Sequence, residues 1–177
     1  MAHPGDVLDH PRGDRLEFVA TSASTGGALL EKHVTYPPHT EAPAPHFHPE
    51  QEETFTIVQG ALNTVINGVQ RRYAAGATFV VPAGTPHTMH ADADEPTRFV
   101  WQVRPALRTE DFFEKLWDLA RAAGSDAPRP PNLLQGALLM RTYAREFQLV
   151  RPPRWLQVPL FAVLEPIARL LGYRAVR

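Results

Sequence analysis

His46-Phe47-His48-Pro49-Glu50-Gln51-Glu52-Glu53 and Gly76-Ala77-Thr78-Phe79-Val80-Val81-Pro82-Ala83-Gly84-Thr85-Pro86-His87 decide the reading of this chain. Side chains two apart on a strand share a face, so His46 and His48 aim together while Phe47 points away. Along the following strand Glu53, Phe55 and Ile57 share one face, with Glu53 at its start. Three imidazoles and one carboxylate converging on a point make a site for a divalent transition metal. The prediction is a metal-binding β-barrel.

Working outward, the flanking segments alternate like strands. Arg15–Ala20, Ala28–Tyr36, Glu53–Gln59, Ala61–Ile66, Val69–Tyr73, Ala77–Val81, His87–Met89 and Thr97–Arg104 are short runs separated by Gly and Pro turns. Asn67-Gly68 is the strongest hairpin signal, because both residue types accept the positive φ of a type I′ turn. Phe99, Trp101 and Val103 fall on one strand face. The prolines of the Pro37–Pro45 stretch make a stiff approach to the first histidine pair.

The two stretches resemble the signature motifs of the cupin superfamily. The first motif is His-x-His, a three- or four-residue gap, Glu, six residues and Gly, matched by His46, His48, Glu53 and Gly60. The second is Gly, five residues, Pro-x-Gly, two residues, His, three residues and Asn, matched by Gly76, Pro82, Gly84 and His87. Thr40 stands where the family often carries Gly, and Ala91 stands in place of the closing Asn. Neither departure touches a ligand position. The resemblance implies a mostly β fold, a double-stranded β-helix or jelly-roll barrel followed by C-terminal α-helices. Residues 1–14 would be an N-terminal arm, 15–107 the barrel and 108–177 a helical extension. It also implies His46, His48, Glu53 and His87 as ligands of one divalent metal: iron, manganese, nickel, cobalt, copper or zinc.

Each candidate has a blander meaning. A lone strand histidine is commonly structural, and Glu50-Gln51-Glu52-Glu53 has the look of a solvated turn. The complete ligand set outweighs that for His46, His48 and His87, and strand alternation selects Glu53 over Glu52. His90 falls on the opposite face from His87 and Met89. His3, His10 and His39 sit in Pro/Gly-rich surroundings and are expected to be exposed, while His33 could face either way.

Past Pro105 the pattern becomes helical. Thr109 is an expected N-cap with Glu110 and Asp111 in the first turn, and the apolar stripe runs to about Gly124. Ser125–Pro131 reads as a linker, and Asn132 with Gln135 as a capping box for a helix through about Phe147. Pro159 and Pro166 divide Trp155–Leu171 into two expected short helices. This tail resembles an extension carried by a group of small bacterial cupins, and its apolar load is expected to cover the barrel or a second subunit of a homodimer. Membrane contact is not expected, because the basic residues are few and the prolines interrupt the face.

Composition bounds the function. The 177 residues are 44% hydrophobic and 21% charged, as in an ordinary globular protein, which fits one domain with an extension. A net charge of -1 removes the basic footprint of a nucleic-acid binder. The absence of cysteine excludes disulfides, thiolate catalysis and cysteine-ligated metals. No signal peptide is read at Met1–Asp6, so the expected location is cytoplasmic. Serine hydrolysis finds no Gly-x-Ser-x-Gly context.

Three imidazoles and a carboxylate leave two octahedral positions open for water, substrate or dioxygen. Apolar walls are expected from Phe55, Ile57, Phe79, Val81, Met89, Phe99 and Trp101, suiting a small apolar or aromatic substrate with oxygen donors. The expected activity is that of an oxidoreductase, a metal-dependent dioxygenase with Glu53 as the internal proton acceptor. A non-redox isomerase, lyase or cyclase using the metal as a Lewis acid is the alternative, as is a non-catalytic binding protein.

Overall fold

A computed structural model describes residues 2–38, 40–91, 94–122 and 132–175. The expected linker Ser125–Pro131 and His39 lie outside the described residues. Among the described residues, two antiparallel sheets face each other and four helices accompany them.

The first sheet has the order β1 (Val7–Asp9), β2 (Arg15–Ala20), β3 (Leu30–Tyr36), β10 (Thr97–Arg104), β5 (Glu52–Gln59), β8 (Thr78–Val81). The second has the order β11 (Gln148–Leu149), β4 (His46–Phe47), β9 (His87–Ala91), β6 (Ala61–Ile66), β7 (Val69–Ala74). Alternation sets the inner faces. Phe55 and Ile57 of β5, Phe99 and Val103 of β10, and Leu16 and Phe18 of β2 pack into one core with Leu62 and Met89 of the opposite sheet. Asn67 and Gly68 take φ of 49° and 78°, the paired positive values of the predicted hairpin between β6 and β7. Gly60 is required for space as well as for its φ of 70°, since a Cβ there would lie 2.7 Å from Thr97 Oγ1.

The expected jelly-roll barrel is corrected by this topology. The strands form two open sheets, and no ladder among the described residues closes one onto the other. The edges explain why. Strand β7 is exposed along nearly its whole length and carries Gln70, Arg71 and Arg72, while β8 spans only four residues. Charged or short edges resist further strand pairing. Alternation and turn spacing look the same in open and closed sheets, so the sequence did not separate them.

Helix α1 (Ser22–Thr25) is a single turn, capped by Thr21. In α2 (Thr109–Ala122), Thr109 is the first helical residue, and its hydroxyl accepts a hydrogen bond from Gln51 Nε2 at 2.8 Å instead of capping. Helix α3 (Leu133–Thr142) has the expected Asn132 cap, its side chain accepting from Gln135 N, but the Gln135 side chain donates to Arg174 O instead of completing the box, and the helix ends before Phe147. The chain then enters β11, which pairs with β4 through Leu149 and His46. The expected pair of short helices is one helix, α4 (Arg154–Leu170), with Pro159 and Pro166 inside it. Each proline leaves a carbonyl four residues back without its donor, at Trp155 and Ala162. Both prolines and both of those residues are exposed, so water can satisfy the freed carbonyls and the helix continues.

A second core joins α2 to the tail, with Phe112, Leu138, Leu139, Tyr143 and Ala168 buried together. Leu138→Ala should therefore cost about 2–5 kcal/mol by cavity formation. A denaturant titration giving under about 1 kcal/mol would show that this core is not close-packed.

Candidate metal centre

The site lies between the inner faces of the two sheets. His46 of β4 is directly opposite His87 of β9, and His48 follows just beyond β4. Glu53 comes from the other sheet, on β5, beside Val81 and Val103. The Pro82-Ala83-Gly84 turn ties the two motifs together, with Gly84 N donating to His48 O at 2.8 Å. The structure thus brings together all four side chains that the sequence singled out. All are buried, Glu53 at 0% exposure.

Ring orientation is fixed by the backbone. His46 Nδ1 lies 2.9 Å from Ala44 O, His48 Nδ1 2.5 Å from Glu146 O, and His87 Nδ1 3.0 Å from Thr85 O. A carbonyl only accepts, so each Nδ1 carries the hydrogen and each neutral ring presents its Nε2 lone pair. The candidate ligand atoms of the three rings lie within 4.8 Å of one another. Glu53 closes the group, with Oε1 3.3 Å from His48 Nε2 and Oε2 3.0 Å from His87 Nε2. Despite that proximity, Glu53 Oε2 and His48 Nε2 have no hydrogen-bond partner. Buried lone pairs facing one another repel unless a cation lies between them, so the donor set fits a metal.

Electrostatics follow from burial and crowding. Burial, then His87 and His48, push the His46 imidazole down to about 3. Burial also lowers His48, against the pull of Glu53. For Glu53, burial acts upward but is outweighed by the His48 charge and the His87 contact, which hold the carboxyl at about 2. Burial lowers His87 too, yet its contact with the Glu53 carboxylate wins and the ring is raised. At neutral pH the set therefore holds an ionised carboxylate and two neutral rings, His46 and His48, able to coordinate, while a metal would displace the proton that Glu53 favours on His87.

His46 and His48 open onto a cavity of about 190 Å³. Of the expected wall residues, Met89 and Trp101 line it, whereas Phe55, Ile57, Phe79, Val81 and Phe99 lie in the core. Phe55 supports the wall from beneath, its ring 5.3 Å from that of Trp101. The Trp101 indole donates to Glu53 Oε1 at 3.0 Å. His90 has the outward phase on β9, His3 and His33 are exposed, and His10 is half-buried against Trp117.

Several contributors were not singled out in the sequence. Phe147 stacks on His46 at 4.7 Å, and Glu146 supplies the carbonyl for His48 from 98 residues away. Asp14, Tyr36 and Glu41 reach the cavity from the N-terminal side, and Phe112, Phe113 and Leu116 from α2. No local pattern marks these residues. Lys32 is fully buried and did leave a signal, since period-two alternation puts it on the inner face with Leu30 and Val34. The two departures from the signature motifs also meet, because Ala91 N donates to Thr40 Oγ1 at 2.9 Å.

Protonated imidazole cannot coordinate, and the raised His87 is the ring that takes a proton first as pH falls. Metal affinity should therefore weaken from about pH 8 to about pH 5.5, by roughly tenfold per pH unit for each proton displaced. Calorimetric titration of Co²⁺ across that range checks this, and a flat affinity would contradict three histidine ligands. His87→Ala should lower metal content while the far-ultraviolet circular dichroism stays native, since the large apolar core contains none of the histidines.

A model of the cupin domain matches residues 32–103. Similar solved structures include KdgF from Halomonas sp., at 24% identity and a TM-score of 0.51, covering 59% of this chain and 92% of that one. An RmlC-like cupin from Shewanella frigidimarina is similar at 15% identity and a TM-score of 0.51, covering 62% of this chain and 92% of that one. No curated protein matches the chain. At these identities the structural likeness speaks for the fold alone, while the domain match spans both motifs and every site histidine. The chain carries a cupin domain, with a buried three-histidine site for a divalent transition metal and additional C-terminal helices.

Proposed function

We propose that this domain is a metal-dependent, non-redox enzyme of the isomerase, lyase or cyclase type, acting on a small molecule with an apolar body and oxygen donors. The observation that carries the proposal is the mixed wall of the cavity. One part is aromatic, with Trp101, Phe112, Phe113 and Phe147, but Asp14, Tyr36, Glu41 and Glu146 stand on the same wall. Groups able to give and take protons serve a reaction that moves protons about a carbonyl.

In this reading His46, His48, His87 and Glu53 hold the metal, which when bound supplies a Lewis acid that polarises a substrate carbonyl. Carbonyl hydrogen bonds at each Nδ1 keep the rings from turning. The Trp101 N–H occupies Glu53 Oε1 and leaves Oε2 as the freer oxygen for the metal or for a proton. Burial and the Asp14 charge raise the Tyr36 phenol, keeping it protonated and able to donate to a substrate oxygen. The aromatic residues exclude water and bind the apolar body.

The experiment is turnover of a panel of hydroxy-ketones and keto acids by protein loaded with Zn²⁺, Mn²⁺, Ni²⁺ or Fe²⁺, with and without oxygen. Zn²⁺ should support the reaction and removal of oxygen should not slow it. Oxygen uptake confined to redox-active metals would transfer the assignment to the dioxygenase reading, which the aromatic part of the cavity favours.

We further propose a homodimer closed by α4. Among the described residues, no helix is long and apolar enough to cross a membrane. Yet α4 exposes Trp155, Val163 and Leu170 at 76%, 62% and 88% on one face. A second copy would take that stripe out of water. Val163→Asp with Leu170→Asp should convert a dimer to a monomer by light scattering, and a monomeric wild type would refute the proposal.

A further inference from the structure

Lys32 is the one fully buried lysine among the described residues, at 0% exposure, and its Nζ has no hydrogen-bond partner. It sits on β3 directly across from Trp101 on β10, so the two side chains share the inner face. Its Nζ lies 3.2 Å from the centre of the Trp101 ring and 3.9 Å from that of Phe113. Both rings line the cavity. The Trp101 indole in turn donates to Glu53 Oε1 at 3.0 Å. The three residues form a stack that runs from a buried amine, through an indole, to a carboxylate of the metal site.

We propose that Lys32 is a positioning residue, acting through Trp101 to fix how Glu53 meets the metal. The hydrogens of an amine directed at an indole face draw on the ring's electrons, whether or not the amine is charged, and make the indole N–H a stronger donor. A stronger donor holds Oε1 and would leave Oε2, 3.0 Å from His87 Nε2, as the oxygen that turns to the metal. One-oxygen binding keeps an additional position open for substrate. The aromatic contacts of Trp101 support the same geometry, with Phe55 stacked at 5.3 Å and Phe113 edge-on at 5.3 Å.

Folding alone gives no reason for such a lysine. Burying an amine without a hydrogen bond costs stability, and methionine has a similar length without the charge. Burial lowers the basicity of Lys32 well below the usual range, while the Glu53 charge acts the other way. Local rules are broken most often where a site requires it.

The inference rests on Glu53 being a metal ligand, as proposed above, and the test separates the two. Co²⁺ binding and visible absorption are measured for wild type, Glu53→Gln, Lys32→Met, Trp101→Phe and the Lys32→Met/Trp101→Phe double variant, with melting temperatures in parallel. Glu53→Gln should change the Co²⁺ spectrum; no change would remove Glu53 from the coordination sphere whatever Lys32 does. Lys32→Met should melt higher than wild type yet bind Co²⁺ about tenfold more weakly, with a weaker absorption band as Glu53 begins to bind through both oxygens. Trp101→Phe should reproduce that spectrum, and the double variant should add nothing further. Tighter Co²⁺ binding by Lys32→Met would overturn the proposal, because it is the result expected of a like charge merely near the metal. An unchanged Lys32→Met spectrum beside a changed Glu53→Gln spectrum would also overturn it, as would additive effects in the double variant.

Discussion

Everything at the centre of this molecule depends on three imidazoles being held by their Nδ1 atoms. The carbonyls of Ala44, Glu146 and Thr85 take those hydrogens, so the Nε2 edges of three rings and an ionised carboxylate face one another at the buried end of the cavity. Such an arrangement is repulsive by itself and complementary to a cation. The two sheets are the frame that makes it possible. One supplies His46 and His87 as cross-strand neighbours, and the other supplies Glu53. Because the sheets are open, the contents of the site do not depend on a closed ring of hydrogen bonds. They depend on the apolar residues that press the two inner faces together.

The C-terminal segment is more than an appendage to this frame. Glu146 provides the carbonyl for His48, Phe147 stacks on His46, and β11 adds itself to β4 beside the histidine pair. Arg145 reinforces the contact from outside, with paired hydrogen bonds to Glu50 in the first motif. An exposed ion pair of this kind contributes little stability, and its value is in registering the segment against the site. Helix α2 closes the cavity with Phe112, Phe113 and Leu116. The residues that line the cavity thus come largely from outside the segment that makes the metal site.

The interior also contains a tension between stability and use. Lys32, Glu53 and the histidines place ionisable groups where an apolar core would be more stable. Trp101 mediates between them, with its ring against the amine and its N–H on the carboxylate. Aromatic rings suit this position because they bury a large apolar area and still offer a donor edge and an electron-rich face.

The sequence by itself determined the three-histidine metal site, the placing of Glu53 beside it and the inner faces of the strands. His46, His48, Glu53 and His87 were legible because strand alternation and fixed turn spacing convert position along the chain directly into direction in space. The Asn67-Gly68 hairpin and the Asn132 cap were legible for a similar reason, since each is decided within a few residues. Only the tertiary structure decided that the sheets stay open, that α4 runs unbroken through two prolines, and that Glu146 and Phe147 surround the site. Those outcomes turn on which edges find partners, which carbonyls face water and which side chains meet across a large sequence separation. Local pattern carries no information about any of the three, because each is settled by packing between segments distant in the chain.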